Sequence, residues 1–401
     1  MPVPERLRFP LLALVVAVAA LATLAVVLER RARRPAPIAA EVDVAAALGG
    51  DNPEGGQADP RFARAVAPRP FNFPADHGAH DGFRTEWWYL TGNLFAADGR
   101  AFGVQLTFFR NALTAAESAS PSRWRSNHVW MAHFALSDQQ RGTFRFAERF
   151  AREAVGLAGV SAAPFRVALE DWSIAATSPS ANEFSPLHLA AREADFAVDL
   201  ALEAGKPPVL QGDRGLSQKG PEPGNASYYY SLPRLAARGT VTVDGRNVPV
   251  TGEAWLDREW STSALGSELA GWDWFALQLE DGRDLMFYRL RRKDGASDPW
   301  SRGSLVAADG TSRPLAPGDV ELAVLSSWMS PSGATYPATW RLRIPSEALD
   351  LELIPRVANQ ELAVTVRYWE GAMRVSGTSH GRPIGGHGFV EMTGYTAAPE
   401  P

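Results

Sequence analysis

A chain of 401 residues, 45% of them hydrophobic, is long enough for two cores, since domains run about 100–200 residues. Its formal net charge of −5 offers none of the basic field that phosphate-backbone binding draws on, which argues against nucleic acid as a partner. It has no cysteine, which excludes disulfides, thiolate chemistry, cysteine-ligated zinc and a lipoprotein-type acylated cysteine.

Residues 9–28, FPLLALVVAVAALATLAVVL, run 20 positions without a charge, about the length that crosses a bilayer core as a hydrophobic helix. Arg6 and Arg8 precede it as in a signal peptide, but the run exceeds the roughly 7–15 apolar residues of a cleavable signal. Residues 1–34 therefore read as a signal peptide or, better, an uncleaved inner-membrane anchor. The flank ERRARR is more basic than the N-terminal side and opposes the N-in orientation, yet a single span still places the rest of the chain on one side of the membrane, and export to the periplasm or cell envelope is the expectation. Residues 35–70 are rich in Ala, Pro and Gly and read as a flexible linker.

From 71 to 396 short apolar and aromatic runs alternate with turn signals, an all-β, antiparallel texture. His77 and His80 stand near Asp76 and Asp81, but no further histidine cluster completes a zinc set, so no metal is assigned. In RTEWWYLTGNL (84–94) strand parity puts Glu86 and Trp88 on one face and Trp87 and Tyr89 on the other. Glu86 is a plausible acceptor for the indole and phenol groups around it. In NHVWMAHFAL, His133 shares a face with Val129 and Met131, where a lone histidine is most often a hydrogen-bonded core residue.

The tripeptide Asp-Gly-Arg occurs at Asp98–Arg100, Asp244–Arg246 and Asp281–Arg283, each between strand-like runs, and Asp-Gly favours tight hairpins. Two of these hairpins, 86–110 and 272–292, share the order tryptophan-rich strand, turn, aromatic strand, arginine. This suggests one β unit used twice, with a boundary near 250: an N-terminal domain over 71–250 and a C-terminal domain over 251–396. Residues 203–227 form a long Gly/Pro/charged loop, read as a lid or mobile crossing. Closed barrels remove sheet edges, and about eight strands is the smallest number that encloses a small ligand.

In TGEAWLDREW (251–260), Glu253, Trp255, Asp257 and Glu259 share one face. Carboxylates buried together raise one another's pKa, which suits a proton donor, and the alternative is a solvated or arginine-paired face. In GWDWFALQL, Asp273 lies between Trp272 and Trp274 and resembles a general acid beside indoles most closely. No G-x-S-x-G elbow, Walker loop or dinucleotide-binding glycine pattern stands in a strand–turn–helix context.

The runs RTEWWYLTGNL (84–94), YYYSLPRLAARGTV (228–241), VTGEAWLDREWS (250–261), GWDWFALQLEDGRDLMFYRLR (271–291), YPATWRLRIP (336–345), YWEGAMRVSG (368–377) and GFVEMTGY (388–395) resemble, in order, the family of secreted lipocalin-like proteins. That family includes carotenoid 1,2-hydratase (hydroxyneurosporene synthase) and the AttH-type secreted proteins, and the match is closer to the AttH branch. The resemblance implies two consecutive lipocalin-like (calycin) β-barrels after the N-terminal hydrophobic helix, an apolar lipid or isoprenoid ligand and no cofactor. The residue patterns above, taken with this chemistry, make Asp273, Asp257 and Glu259 the catalytic candidates and Glu86, Trp88, His133, Tyr229, Trp255, Trp272 and Trp274 the ligand-binding candidates. The leading expectation is an envelope protein that binds an apolar ligand, linked to an ABC-transporter permease. The alternative is acid-catalysed hydration of an isoprenoid C=C bond, in which a neutral carboxyl protonates the alkene and aromatic faces stabilise the cation.

Overall fold

The computed structural model describes residues 60–396 apart from 116–121, 123–125, 181 and 264; the apolar run 9–28 and most of the linker lie outside them. Among the described residues the strands are β1 (Thr85–Phe95), β2 (Ala101–Ala112), β3 (His128–Asp138), β4 (Thr143–Arg152), β5 (Ala158–Ala162), β6 (Phe165–Leu169), β7 (Trp172–Ala176), β8 (Leu187–Arg192), β9 (Phe196–Ala204), β10 (Val209–Leu210), β11 (Leu216–Gln218) and β12 (Ala226–Val243). They continue with β13 (Arg246–Ser261), β14 (Leu269–Leu279), β15 (Asp284–Arg292), β16 (Arg302–Val306), β17 (Ser312–Leu315), β18 (Glu321–Met329), β19 (Thr335–Ile344), β20 (Leu349–Pro355), β21 (Glu361–Leu362), β22 (Tyr368–Ser379) and β23 (Arg382–Thr393).

These strands form two antiparallel sheets. The first runs β4-β3-β2-β1-β13-β12-β9-β8-β7-β6-β5, with β10 and β11 on β12; the second runs β17-β16-β15-β14-β23-β22-β20-β19-β18, with β21 on β22. In both, a four-strand meander opens the sheet and its first strand pairs with the last long strand of that sheet, so the duplication read from the two hairpins extends to the topology. The repeated turns agree in detail. Arg100 donates to its own turn's Asp98 from backbone N–H (3.2 Å) and Nε (2.9 Å), and Arg283 does the same to Asp281 at 3.1 and 2.8 Å.

Each sheet coils around its own apolar core, as expected for lipocalin-like barrels. Trp88, Trp130, Phe134, Trp172 and Leu200 are among those filling the first; Phe275, Trp340, Leu351 and Trp369 are among those filling the second. The position expected to separate two domains, 250/251, falls inside β13. That strand is continuous across it and pairs on both sides within the first sheet, with β1 and β12, so the chain passes to the second sheet only between Ser261 and Leu269. The Asp244-Gly245 turn, both residues at positive φ (50° and 72°), closes the long β12–β13 hairpin rather than a domain.

The expected lid over 203–227 is pinned instead of free. Its β10 and β11 hydrogen-bond to β12, and Lys206 donates to Asp284 of the second sheet at 2.6 Å. The two sheets meet through the outer faces of β1, β2 and β12 and of β14, β15, β22 and β23. Tyr89, Tyr229, Trp255, Trp274, Met286, Tyr288 and Phe389 form a third apolar cluster there. Gly103 lies against the second sheet, since a Cβ on it would lie 2.5 Å from that of Ala372.

Candidate active site

The main cavity lies between the sheets, not inside a barrel, because both barrel interiors are filled by side chains. It measures about 1120 Å³ including its open mouth. Strand parity decides what lines it. Trp87 and Tyr89 of β1, Met131 and His133 of β3, Asp257 and Glu259 of β13, and Trp272 and Trp274 of β14 turn outward from their barrels into it. Tyr229, Tyr288, Tyr368, Glu391 and Lys219 complete much of the wall.

Asp257 is the best-held acid. It is 3% exposed, and its Oδ2 accepts from the Tyr229 hydroxyl at 2.5 Å while Oδ1 accepts from Ser231 (2.5 Å) and the Trp255 indole N–H (2.7 Å). Burial pushes its pKa up to about 7, opposed by those three donors and aided by the nearby Glu259 charge. The carboxyl is thus held in place and still partly neutral near neutral pH, as a general acid requires. Trp274 donates its indole N–H to the Tyr229 hydroxyl at 3.1 Å, which links the acid to the second sheet.

Two further acids stand on the second sheet. Glu391 is pushed up to about 8, chiefly by burial and also by Asp257 and Glu259, against a hydrogen bond from Trp272. Glu370, its cross-strand neighbour, is 1% exposed and accepts from the Tyr89 hydroxyl at 2.6 Å; burial and Glu391 raise it well above the carboxylate range. At another part of the wall Glu259 pairs with Lys219 (3.2 Å), whose ammonium sits 4.1 Å from the Tyr288 ring centroid.

Of the residues expected from sequence, the cavity brings together Asp257, Glu259, His133, Tyr229, Trp272 and Trp274. Trp255 stands behind, as a donor to Asp257. Three others are placed elsewhere. Asp273 has the opposite parity to its tryptophans: it points into the second barrel, fully buried, against Arg289 (2.6 Å), Arg291 (3.3 Å) and the Tyr395 hydroxyl (2.9 Å). That ion cluster is structural. Glu86 and Trp88 face the first barrel for the same reason. Glu86 pairs with Arg110 and Arg258; burial opposes its ionisation, but those two guanidiniums prevail and lower its pKa. The Trp88 indole donates to the His77 carbonyl at 2.9 Å. His80 bridges Asp76 and Glu86 and stacks on Trp260 with ring centroids 3.7 Å apart.

Glu391, Glu370, Tyr368 and Tyr89 were not singled out from sequence. The signal available was a single glutamate inside each of the apolar runs YWEGAM and GFVEMTG, since an acid flanked by apolar residues on a strand is buried on one face or the other.

Two coiled antiparallel sheets with an acid-bearing, aromatic cavity between their outer faces define a double lipocalin-like protein. The AttH-like family model matches residues 64–395, and the chain belongs to that family. An AttH structure from Nitrosomonas europaea superposes with a TM-score of 0.72 at 34% identity, covering 84% of this chain and 100% of that one. Kievitone hydratase from Fusarium solani subsp. phaseoli is 24% identical over 223 residues, 54% of this chain; the chain spans 62% of that relative's length. The crystal structure of kievitone hydratase from Nectria haematococca shares the fold, with a TM-score of 0.64 at 17% identity over 85% of this chain and 98% of that one.

Proposed function

We propose that the inter-sheet cavity is the active site of a cofactor-free hydratase that adds water across a C=C bond of an apolar, isoprenoid-type substrate. The observation that carries this reading is Asp257, a three-times hydrogen-bonded carboxyl near neutrality in an aromatic cavity. Neutral Asp257 protonates the alkene carbon, and the faces of Trp272 and Trp274 stabilise the positive charge that results. Water then captures the cation. The similarity to kievitone hydratase supports the reaction class, and the resemblance to carotenoid hydratases supports an isoprenoid alkene.

Retention of an apolar ligand without chemistry would need the aromatic wall but not an acid held near its working pKa, and this difference favours catalysis over binding alone. The test is to incubate the protein with lycopene or neurosporene in detergent and look by mass spectrometry for a product heavier by one water. Product from wild type supports the reading. Substrate held and recovered unchanged counts against it and in favour of a binding protein.

A further inference from the structure

The cavity wall carries a second chain of titratable groups that proton donation by Asp257 does not use. His133 on β3 and Tyr368 on β22 both line the cavity, and the imidazole Nδ1 lies 2.8 Å from the Tyr368 hydroxyl. Its Nε2 lies 3.0 Å from Glu148 Oε1 on β4. The chemistry of the partners fixes the direction of these bonds. Glu148 also accepts from the Thr365 backbone N–H (3.2 Å) and hydroxyl (2.7 Å); burial opposes its ionisation, but the bonds from His133 and Thr365 prevail and lower its pKa. An ionised carboxylate has no proton to give, so Nε2 of His133 carries one, and a ring holding that single proton presents Nδ1 as an acceptor.

In that tautomer Tyr368 donates to His133, and its oxygen accepts from Gln105 Nε2 at 3.3 Å. The order carboxylate, imidazole, hydroxyl is that of a base-activated hydroxyl group, here a phenol. Burial, together with Glu370, Glu391 and Glu148, raises the Tyr368 phenol well above its ordinary pKa, so it stays protonated and passes a proton on instead of standing as a phenolate.

We infer that Tyr368 is the group that takes the proton from the attacking water, with His133 and Glu148 as positioning residues behind it. This rests on the hydratase reading of the same cavity. As the water oxygen bonds to the cationic carbon, one water O–H bond breaks and its proton goes to the Tyr368 oxygen. The phenol's own proton moves to His133 Nδ1. The imidazolium is held by the Glu148 carboxylate, whose side chain is 14% exposed; as product leaves, Nδ1 returns its proton to the Tyr368 oxygen, which gives its own to entering water, while Asp257 regains one from solvent. The acid comes from the first sheet and the relay hydroxyl from the second, so the reaction needs both. The titratable groups in contact with the imidazole are Glu148 from β4 and Tyr368 from β22, and Asp257, Glu259, Glu391 and Lys219 line the same cavity.

The experiment compares full-length wild type, Asp257→Asn, Tyr368→Phe and Glu148→Gln on neurosporene in detergent across pH. Tyr368→Phe is expected to lower kcat about 100-fold with KM nearly unchanged, the range of a lost acid–base group. Glu148→Gln is expected to move the acid limb of the pH profile to lower pH, because the imidazolium loses its counter-charge. A purely structural role would change the melting temperature and leave that limb in place. Folded Tyr368→Phe at the wild-type rate, with Asp257→Asn inactive, overturns the relay alone; no product from wild type overturns the acid reading and the relay together. If Tyr368→Phe fails to fold, the acid limb of Glu148→Gln decides.

Discussion

At the residue scale the site is a set of carboxyls sorted by strand parity and by partners. Asp257 must be neutral to give its proton, so the alkaline limb of the rate should fall as pH rises through about 7; a pH–rate profile checks the position of that limb. Glu391 carries a stability prediction. Its folded pKa of about 8 exceeds the ordinary 4.5, so its contribution is fully present below about 4.5 and is lost as pH rises through about 8. Glu391→Gln should then melt higher than wild type at about pH 9, by roughly 1–3 kcal/mol, with little gain at about pH 5. Parity was the legible part of this chemistry: it put Trp255, Asp257 and Glu259 on one face of β13, as the structure does. The same rule sets Asp273 opposite Trp272 and Trp274, so lining by both indoles takes that acid out of the cavity. The arginines that engage it lie 16 and 18 residues away; Arg289 stands directly opposite it across the hairpin closed by the Asp281–Arg283 turn, a pairing that follows from the hairpin register and not from strand parity alone.

At the element scale the hairpins were legible and the change of sheet was not. Asp-Gly dipeptides mark turns at Gly99, Gly245, Gly282, Gly295 and Gly310, all at positive φ as such turns need, and the two Asp-Gly-Arg turns at 98 and 281 repeat down to their side-chain hydrogen bonds. The expected boundary at 250 failed because a strand boundary is a local signal while sheet membership is settled by partners far away in sequence: β13 pairs with β1, more than 150 residues upstream. Where β2 meets β22, Gly103 has no room for a side chain, with Ser137 Oγ at 2.6 Å and Ala372 Cβ at 2.5 Å from a built Cβ. Gly103→Val should push the sheets apart and destabilise by about 1–3 kcal/mol, measured as a lower denaturant midpoint, with Gly318→Val as a comparison at a position that has open space around it and no positive φ.

At the scale of the whole molecule two filled barrels make one site with their outer faces. Sequence periodicity shows which residues alternate, but not which face meets another sheet, so the cavity was expected inside a barrel and is found between two. Buried ion pairs tie the sheets together. Lys206 donates to Asp284 and to the carbonyls of Gly282 (2.6 Å) and Ala307 (2.8 Å), and Arg234 reaches both Asp284 and Glu253. Lys206→Met should cost roughly 3 kcal/mol by leaving Asp284 with one cationic partner, and calorimetry should still show both sheets melting in one transition.

The central claim is that Asp257 gives the proton that begins hydration in the inter-sheet cavity. It is tested most directly by single-turnover incubation of Asp257→Asn with neurosporene in ¹⁸O-labelled water, under conditions where wild type yields labelled product. Bound but unhydrated substrate in a variant that keeps the wild-type fold is the predicted result; labelled product at the wild-type rate would contradict it.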